Sequence, residues 1–194
     1  MKKRKGIILA GGTGSRLMPM TGLLSKQVLP VYDKPMIYYP LSVLMLARIS
    51  EILVISSPEH LPQLRETVLR LGNLGIEFKF ISQPRPEGIA QALILGEDFL
   101  DGSPCALILG DNIFFGHGFS EILQNADQNR SSAQIFVHQV NKPEQYGVIE
   151  LNSDGKIIGI VEKPSVPRSN LAVTGLYFFD PSASQLARQL KPSR

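Results

Sequence analysis

The sequence holds one cysteine, Cys105, among 194 residues. No internal disulfide is possible, and a reducing cytoplasm is the expected setting. A lone thiol at the start of an apolar run reads as a small buried side chain, not a nucleophile. The three histidines, His60, His117 and His138, are scattered and match no metal-ligand spacing. No Ser/His/Asp or Cys/His set can be assembled, so covalent catalysis is not expected. No apolar stretch approaches the ~20 residues of a membrane span. After the basic start Lys2-Lys3-Arg4-Lys5 the apolar run is only Gly6 to Ala10. That is short of the about 7–15 residues a secretory signal needs, so the basic cluster reads as a solvated terminus. Repeats and low-complexity linkers are also missing. The net charge of +3 suits an anionic small-molecule substrate and gives no reason to expect nucleic acid or membrane as a partner.

What remains is ordinary globular composition: 43% hydrophobic and 19% charged residues, enough for one domain with a full-sized core. The most informative stretch is Gly6-Ile7-Ile8-Leu9-Ala10-Gly11-Gly12-Thr13-Gly14-Ser15-Arg16, continuing to Ser25-Lys26-Gln27. A uniformly apolar run that ends at glycines predicts a buried strand running into a loop. The glycines allow positive φ and close approach to a ligand. Successive backbone N–H groups in such a turn form an anion-binding concavity. Arg16 adds a planar fork of donors and Lys26 a compact charge, which together suit a triphosphate. The dinucleotide pattern fails here, because its third glycine would fall on Leu17, and the P-loop pattern has no Gly-Lys-Ser/Thr.

Downstream, strand and helix alternate. Lys34 to Ile49 predicts a helix, kinked or late-starting at Pro40. Glu51 to Ser56 predicts a strand, His60 to Leu71 a helix, Ile76 to Ile81 a strand, Gly88 to Leu100 a helix, and Cys105 to Leu109 a strand. Such alternation implies an α/β fold with a mostly parallel sheet and helices on both faces. Ligands sit at the carboxyl ends of strands in such sheets. The Gly11–Arg16 loop, Gln83 to Gly88, and Asp111 each follow a strand and are expected on one edge. From Gln134 the pattern changes to strands: Gln134 to Val140, Tyr146 to Leu151, Lys156 to Glu162 and Leu171 to Phe179, with a hairpin signal at Asn152-Ser153-Asp154-Gly155. Ser182 to Leu190 is helical. The whole reads as a single domain over 1–194, with its second half, from about residue 131, building a lid or substrate wall over the first.

Asp111, at the end of an apolar strand, is the sharpest acidic candidate. A lone carboxylate there can hold Mg²⁺ together with phosphate oxygens and waters, or can simply cap a turn. Glu162-Lys163-Pro164 ends another strand, where a carboxylate can accept from sugar hydroxyls and a lysine can meet a phosphate. The bland alternative is an exposed ion pair. Tyr146-Gly147 offers an aromatic edge and an open backbone, or core packing.

These motifs occur together with Val31-Tyr32-Asp33-Lys34-Pro35-Met36, Leu109-Gly110-Asp111-Asn112, Gly116-His117-Gly118 and Val173-Thr174-Gly175-Leu176-Tyr177. The combination resembles the sugar nucleotidyltransferases, in their bacterial glucose-1-phosphate thymidylyltransferase branch, from Lys5 to the end of the chain. The resemblance implies a three-layer α/β/α sandwich. It implies transfer of a thymidylyl group from dTTP to α-D-glucose 1-phosphate, with Mg²⁺ as cofactor, on the way to dTDP-L-rhamnose. By the same resemblance Arg16 acts on the transferring phosphoryl group, Lys26 on the triphosphate and Lys163 on the sugar phosphate. Asp111 would hold Mg²⁺. Leu9, Gly11, Gly12, Thr13, Gly14, Ser15, Gln27, Gln83 and Gly88 would contact the nucleotide. Tyr146, Gly147, Glu162, Val173 and Thr174 would line the sugar site. UTP remains an alternative nucleotide, since Gln83 can hydrogen-bond either pyrimidine, and a binding remnant without activity remains a second reading. Members of the family continue past the point where this chain ends. That part carries a second Mg²⁺ ligand in a Trp-x-Asp-Thr-Gly segment and helices that build a homotetramer.

Overall fold

A computed structural model describes residues 2–12, 14, 17–22, 24–129 and 133–190. In chain order these form β1 (Lys5–Leu9), β2 (Pro30–Val31), β3 (Lys34–Pro35), α1 (Tyr38–Leu46), β4 (Glu51–Ser56), α2 (Leu61–Leu69), β5 (Glu77–Ser82), α3 (Ile89–Leu95), α4 (Glu97–Leu100), β6 (Cys105–Leu109), α5 (Phe119–Gln128), β7 (Gln134–Gln139), β8 (Gly147–Leu151), β9 (Ile157–Glu162), β10 (Leu171–Phe179) and α6 (Ala183–Gln189). The chain divides into two compact units. The first runs to Gln134 and resumes at Tyr177, and the second is Ile135–Leu176.

The first unit is α/β. Its parallel strands run in the order β5-β4-β1-β6. Because side chains alternate along a strand, the apolar runs of β1, β4 and β6 supply both faces of the sheet. Ile7, Leu9, Leu53, Ile55, Cys105 and Leu107 pack on one face with Ala92 and Leu93 of α3, Phe99 and Leu100 of α4, and Ala183 and Ala187 of α6. Gly6 points to the other face, where a Cβ would stand 2.8 Å from Leu44 Cδ1 of α1. Helices therefore cover both sides, which is why these strands read as unbroken apolar runs. Each large aliphatic side chain buried in this way contributes about 1.5–3 kcal/mol. Cys105 is 0% exposed, and burial pushes its thiol up to about 12. It stays protonated at neutral pH and behaves as a core residue.

Three expectations are corrected. The helix expected over Gly88 to Leu100 is two helices, α3 and α4, divided at Gly96. A Cβ at Gly96 would lie 3.1 Å from Ala92 O and from Ile7 Cδ1 and 3.2 Å from Leu53 Cδ2, so the chain lies tight against the sheet here. The helix expected over Lys34 to Ile49, kinked or late-starting at Pro40, does start late, at Tyr38, but Lys34–Pro35 is instead a strand that pairs with Pro30–Val31 as a small hairpin. Pro40 then falls in the first turn of α1, where a missing N–H costs nothing. The basic terminus is not solvated throughout. Arg4 is 5% exposed. Its Nε donates to Asp127 Oδ1 at 2.7 Å, and its Nη1 donates to Cys105 O at 2.9 Å and Phe179 O at 2.8 Å.

The second unit is antiparallel where its register is defined. β7 and β8 both pair with β10, and β8 pairs with β9. The β8–β9 turn closes as its sequence predicts: Asn152 Oδ1 accepts from Asp154 N and Lys156 N, and Gly155 takes φ +74°. Among the described residues no helix is long and apolar enough to cross a membrane.

Candidate functional site

The end of β1 is pinned from both sides by three hydrogen bonds. Ala10 N donates to Ile55 O at 2.7 Å, Ser56 Oγ donates to Ala10 O at 2.8 Å, and Gly110 N donates to Leu9 O at 2.9 Å. The fit at Gly110 is tight: a Cβ there would lie 3.0 Å from Ala10 Cα. Beyond this point Gly12 has φ +103° and Gly14 φ +60°, the left-handed region that glycine enters freely. Thr21 Oγ1 and Leu17 N both donate to Gly14 O at 2.8 Å, which folds the loop back on itself. Gln27 is 2% exposed and its Nε2 donates to Gly11 O at 3.4 Å, so it braces the loop from beneath. Thr13, Ser15 and Arg16 lie outside the described residues.

A cavity of about 220 Å³ opens at the carboxyl ends of β1, β5 and β6. Its lining includes Leu9, Gly11, Gly12, Gln83, Gly88 and Asp111, all singled out from the sequence. The strand order explains the convergence. β1 lies between β4 and β6, and each loop leaves its strand on the same edge. Gly88 takes φ +88° as the chain turns into α3. Lys26 Nζ lies 2.8 Å from Asp111 Oδ2, with the two side chains 29% and 38% exposed. The lining is thus apolar or glycine apart from Gln83 and Asp111, and Lys26 is tied to it through Asp111. Such a cavity suits a flat heterocycle with an anionic tail.

Among the described residues no group of three or more His, Cys, Asp or Glu side chains could hold a metal. Asp111 fits Mg²⁺ in a narrower sense. It is a hard oxygen donor beside the glycine loop, and Mg²⁺ is commonly held by one or two carboxylates, with phosphates and water completing its shell.

The second unit gathers its own candidates. Gly147 faces Glu162 across the β8–β9 ladder, and a Cβ at Gly147 would stand 2.9 Å from Glu162 Oε2. Lys163 follows with φ +43° and its Nζ 3.5 Å from Glu162 Oε1. The side chains of Glu162 and Lys163 are 73% and 60% exposed. Tyr146 is 45% exposed, not packed in a core. Thr174 Oγ1 donates to Phe136 O at 2.9 Å, and Val173 is half-buried beside it. His117, in its glycine-flanked loop, is exposed.

Sequence reasoning passed over several residues here. Pro86, Ile89 and Leu109 also line the cavity. Gln91 Oε1 accepts from Gln83 Nε2, and Glu87 holds Gln91 in turn through its backbone N–H and its carboxylate. Their only advance signal was a pair of polar residues four apart around the start of a helix. Such pairs are common and usually face solvent.

The nucleotidyl transferase family model matches residues 5–194. The glucose-1-phosphate thymidylyltransferase of Xanthomonas campestris pv. campestris (strain B100) is 56% identical over 194 residues, which is 100% of this chain and 65% of that protein. The enzyme of that name from Neisseria meningitidis serogroup A is 51% identical over 189 residues, 97% of this chain and 66% of its own length. The chain thus spans about two thirds of the length of the curated relatives it matches. Among solved structures, a Bacillus anthracis protein assigned as a glucose-1-phosphate thymidylyltransferase, in complex with sucrose, has TM-score 0.87 and 39% identity. It covers 98% of this chain and 76% of its own. A UDP-glucose pyrophosphorylase complexed with UDP-glucose has TM-score 0.84 and 25% identity, covering 99% and 81%.

Proposed function

The chain belongs to the nucleotidyl transferase family, and on that premise we propose that it takes part in transferring a thymidylyl group from dTTP to α-D-glucose 1-phosphate, with release of pyrophosphate. The observation that carries this reading is the cavity at the β1 edge, where Gly11, Gly12, Gln83 and Gly88 meet the Lys26–Asp111 pair. The two curated relatives named above are glucose-1-phosphate thymidylyltransferases.

A sugar phosphate is already an anion, so its oxygen needs no general base to attack the α-phosphorus. The demand on the protein is alignment and neutralisation of charge. The glycine loop offers backbone N–H groups to the phosphates. Lys26 takes the triphosphate, and Arg16 takes the charge that grows on the transferring phosphoryl group. In the second unit Glu162, Gly147, Tyr146, Val173 and Thr174 take the sugar, and Lys163 its phosphate. Asp111 would hold Mg²⁺, which when bound neutralises phosphate charge and orients the leaving pyrophosphate. Lys26 Nζ donates to Asp111 Oδ2. A triphosphate gives the ammonium a new partner and leaves the carboxylate to the metal.

Calorimetric titration tests the nucleotide part. In the presence of Mg²⁺, dTTP is expected to bind at least about tenfold more tightly than ATP, because thymine offers the Gln83 amide at the cavity wall a ring N–H that adenine lacks. Lys26→Ala is expected to weaken dTTP roughly tenfold while leaving thymidine, which has no phosphate, unchanged. Equal affinity for ATP, or equal loss of dTTP and thymidine in the variant, contradicts the assignment. A UTP arm in the same series separates the thymidylyl reading from a uridylyl one.

A further inference from the structure

Gln83 is 4% exposed and stands at the cavity wall. An amide side chain can show a ligand either its oxygen or its nitrogen, and those two faces select opposite partners. Here the choice is made by neighbours. Gln83 Nε2 donates to Gln91 Oε1 at 2.5 Å. Gln91 Oε1 also accepts from the backbone N–H of Glu87 at 3.1 Å, and Gln91 Nε2 donates to Glu87 Oε2 at 2.8 Å. Both ends of this chain of bonds have fixed polarity. A backbone N–H can only donate, and an ionised carboxylate can only accept. Gln91 is therefore held one way round, with its oxygen toward Gln83. Gln83 must answer with its N–H, which turns its own oxygen away. That oxygen lies over Gly11, 3.0 Å from where a Cβ would stand. Gly11 and Gln83 line the same cavity. Among the described residues none donates to this oxygen.

We propose that Gln91, oriented by Glu87, is a positioning residue that fixes Gln83 as a hydrogen-bond acceptor and thereby makes the site select pyrimidines bearing a ring N3–H over cytosine. The inference rests on the nucleotide reading above and deepens it. Thymine and uracil carry a donor at N3. Cytosine carries a lone pair there, which would face the Gln83 oxygen and leave two buried acceptors unpaired. A site built to receive a donor rejects a base that lacks it more strongly than shape alone would.

Two variants of the whole chain test this, each titrated with dTTP and with dCTP in the presence of Mg²⁺. In Gln91→Lys the new ammonium only donates. It keeps an ion pair with Glu87 and offers N–H to Gln83, so the amide turns over and presents its nitrogen to the base. The dTTP:dCTP affinity ratio is expected to fall at least about tenfold relative to the unaltered chain. In Gln91→Glu the new carboxylate still accepts from Gln83 Nε2 and from Glu87 N, while the exposed Glu87 side chain, which loses its donor, turns to solvent, so the ratio is expected to stay within about threefold. A purely structural role for Gln91 would weaken both nucleotides alike. An unchanged ratio in Gln91→Lys, or equal loss of both nucleotides, overturns the proposal and leaves the nucleotide reading standing if the unaltered chain prefers dTTP. An unaltered chain that binds neither nucleotide overturns both.

Discussion

An Arg4→Met variant is expected to lose about 3 kcal/mol of stability, the lower end of what breaking a buried ion pair costs. The reason lies in the number of groups that one guanidinium satisfies. Its fork reaches Asp127, Cys105 O and Phe179 O, and its Cζ lies 4.9 Å from the centre of the Phe178 ring. Methionine replaces the volume but none of the donors. The carbonyl of Cys105 is then left in the core, where an unpaired acceptor costs about 1–3 kcal/mol. Asp127 is 29% exposed and can recover some hydration, which keeps the loss at the low end. For a chain of this size the midpoint of thermal unfolding should fall by about 6–12 °C. Arg4→Lys should recover only part of it, because an ammonium cannot reproduce the planar fork. A shift of under 2 °C in Arg4→Met would mean that the guanidinium is dispensable to the fold.

The second large effect is expected in Gly11→Leu. Gly11 has no unusual φ, so a side chain is tolerated by the backbone itself. What it meets is the site: its Cβ would lie 3.0 Å from Gln83 Oε1, and the rest of the side chain would enter the space a base requires. The affinity for dTTP should fall about a hundredfold or more, from overpacking and from displacement of the Gln83 acceptor. Thermal stability should change little, since the residue stands at the cavity and not in the core between β1 and its helices. Retention of dTTP affinity in this variant would remove the cavity from the nucleotide site. Comparable loss of folding would show that Gly11 is a packing residue first.

Much of the fold was legible because its signals are local. β1, β4 and β6 are apolar without interruption, and only a strand covered on both faces reads that way. β10 has the expected ends, Leu171 and Phe179. The convergence of Gly11, Gln83, Gly88 and Asp111 followed from strand–helix alternation, since a parallel sheet sends every such loop to one edge. The failures come from contacts that pattern cannot reach. Lys2, Lys3, Arg4 and Lys5 look alike in the sequence. Only the packing of β6 and α5 beside β1 singles out Arg4 for burial, opposite Asp127. Helix α5 was not expected, although Leu123 and Ala126 are buried along it, because the glycines before it and its many polar residues resemble a loop. The break at Gly96 answers to Ile7 and Leu53, distant in sequence and invisible from the helix alone. The Glu87–Gln91–Gln83 chain of hydrogen bonds needs β5 and α3 in place before its polarity can be read.

The most direct test of the transfer chemistry is pyrophosphate release by this chain from dTTP, α-D-glucose 1-phosphate and Mg²⁺, with Asp111→Asn run alongside. Release is expected to require all three components and to fall at least about a hundredfold when the carboxylate is replaced by an amide that cannot hold the metal as tightly. Release that proceeds without the sugar phosphate, or at an unchanged rate in Asp111→Asn, would contradict the transfer. So would its absence from a chain that binds dTTP well.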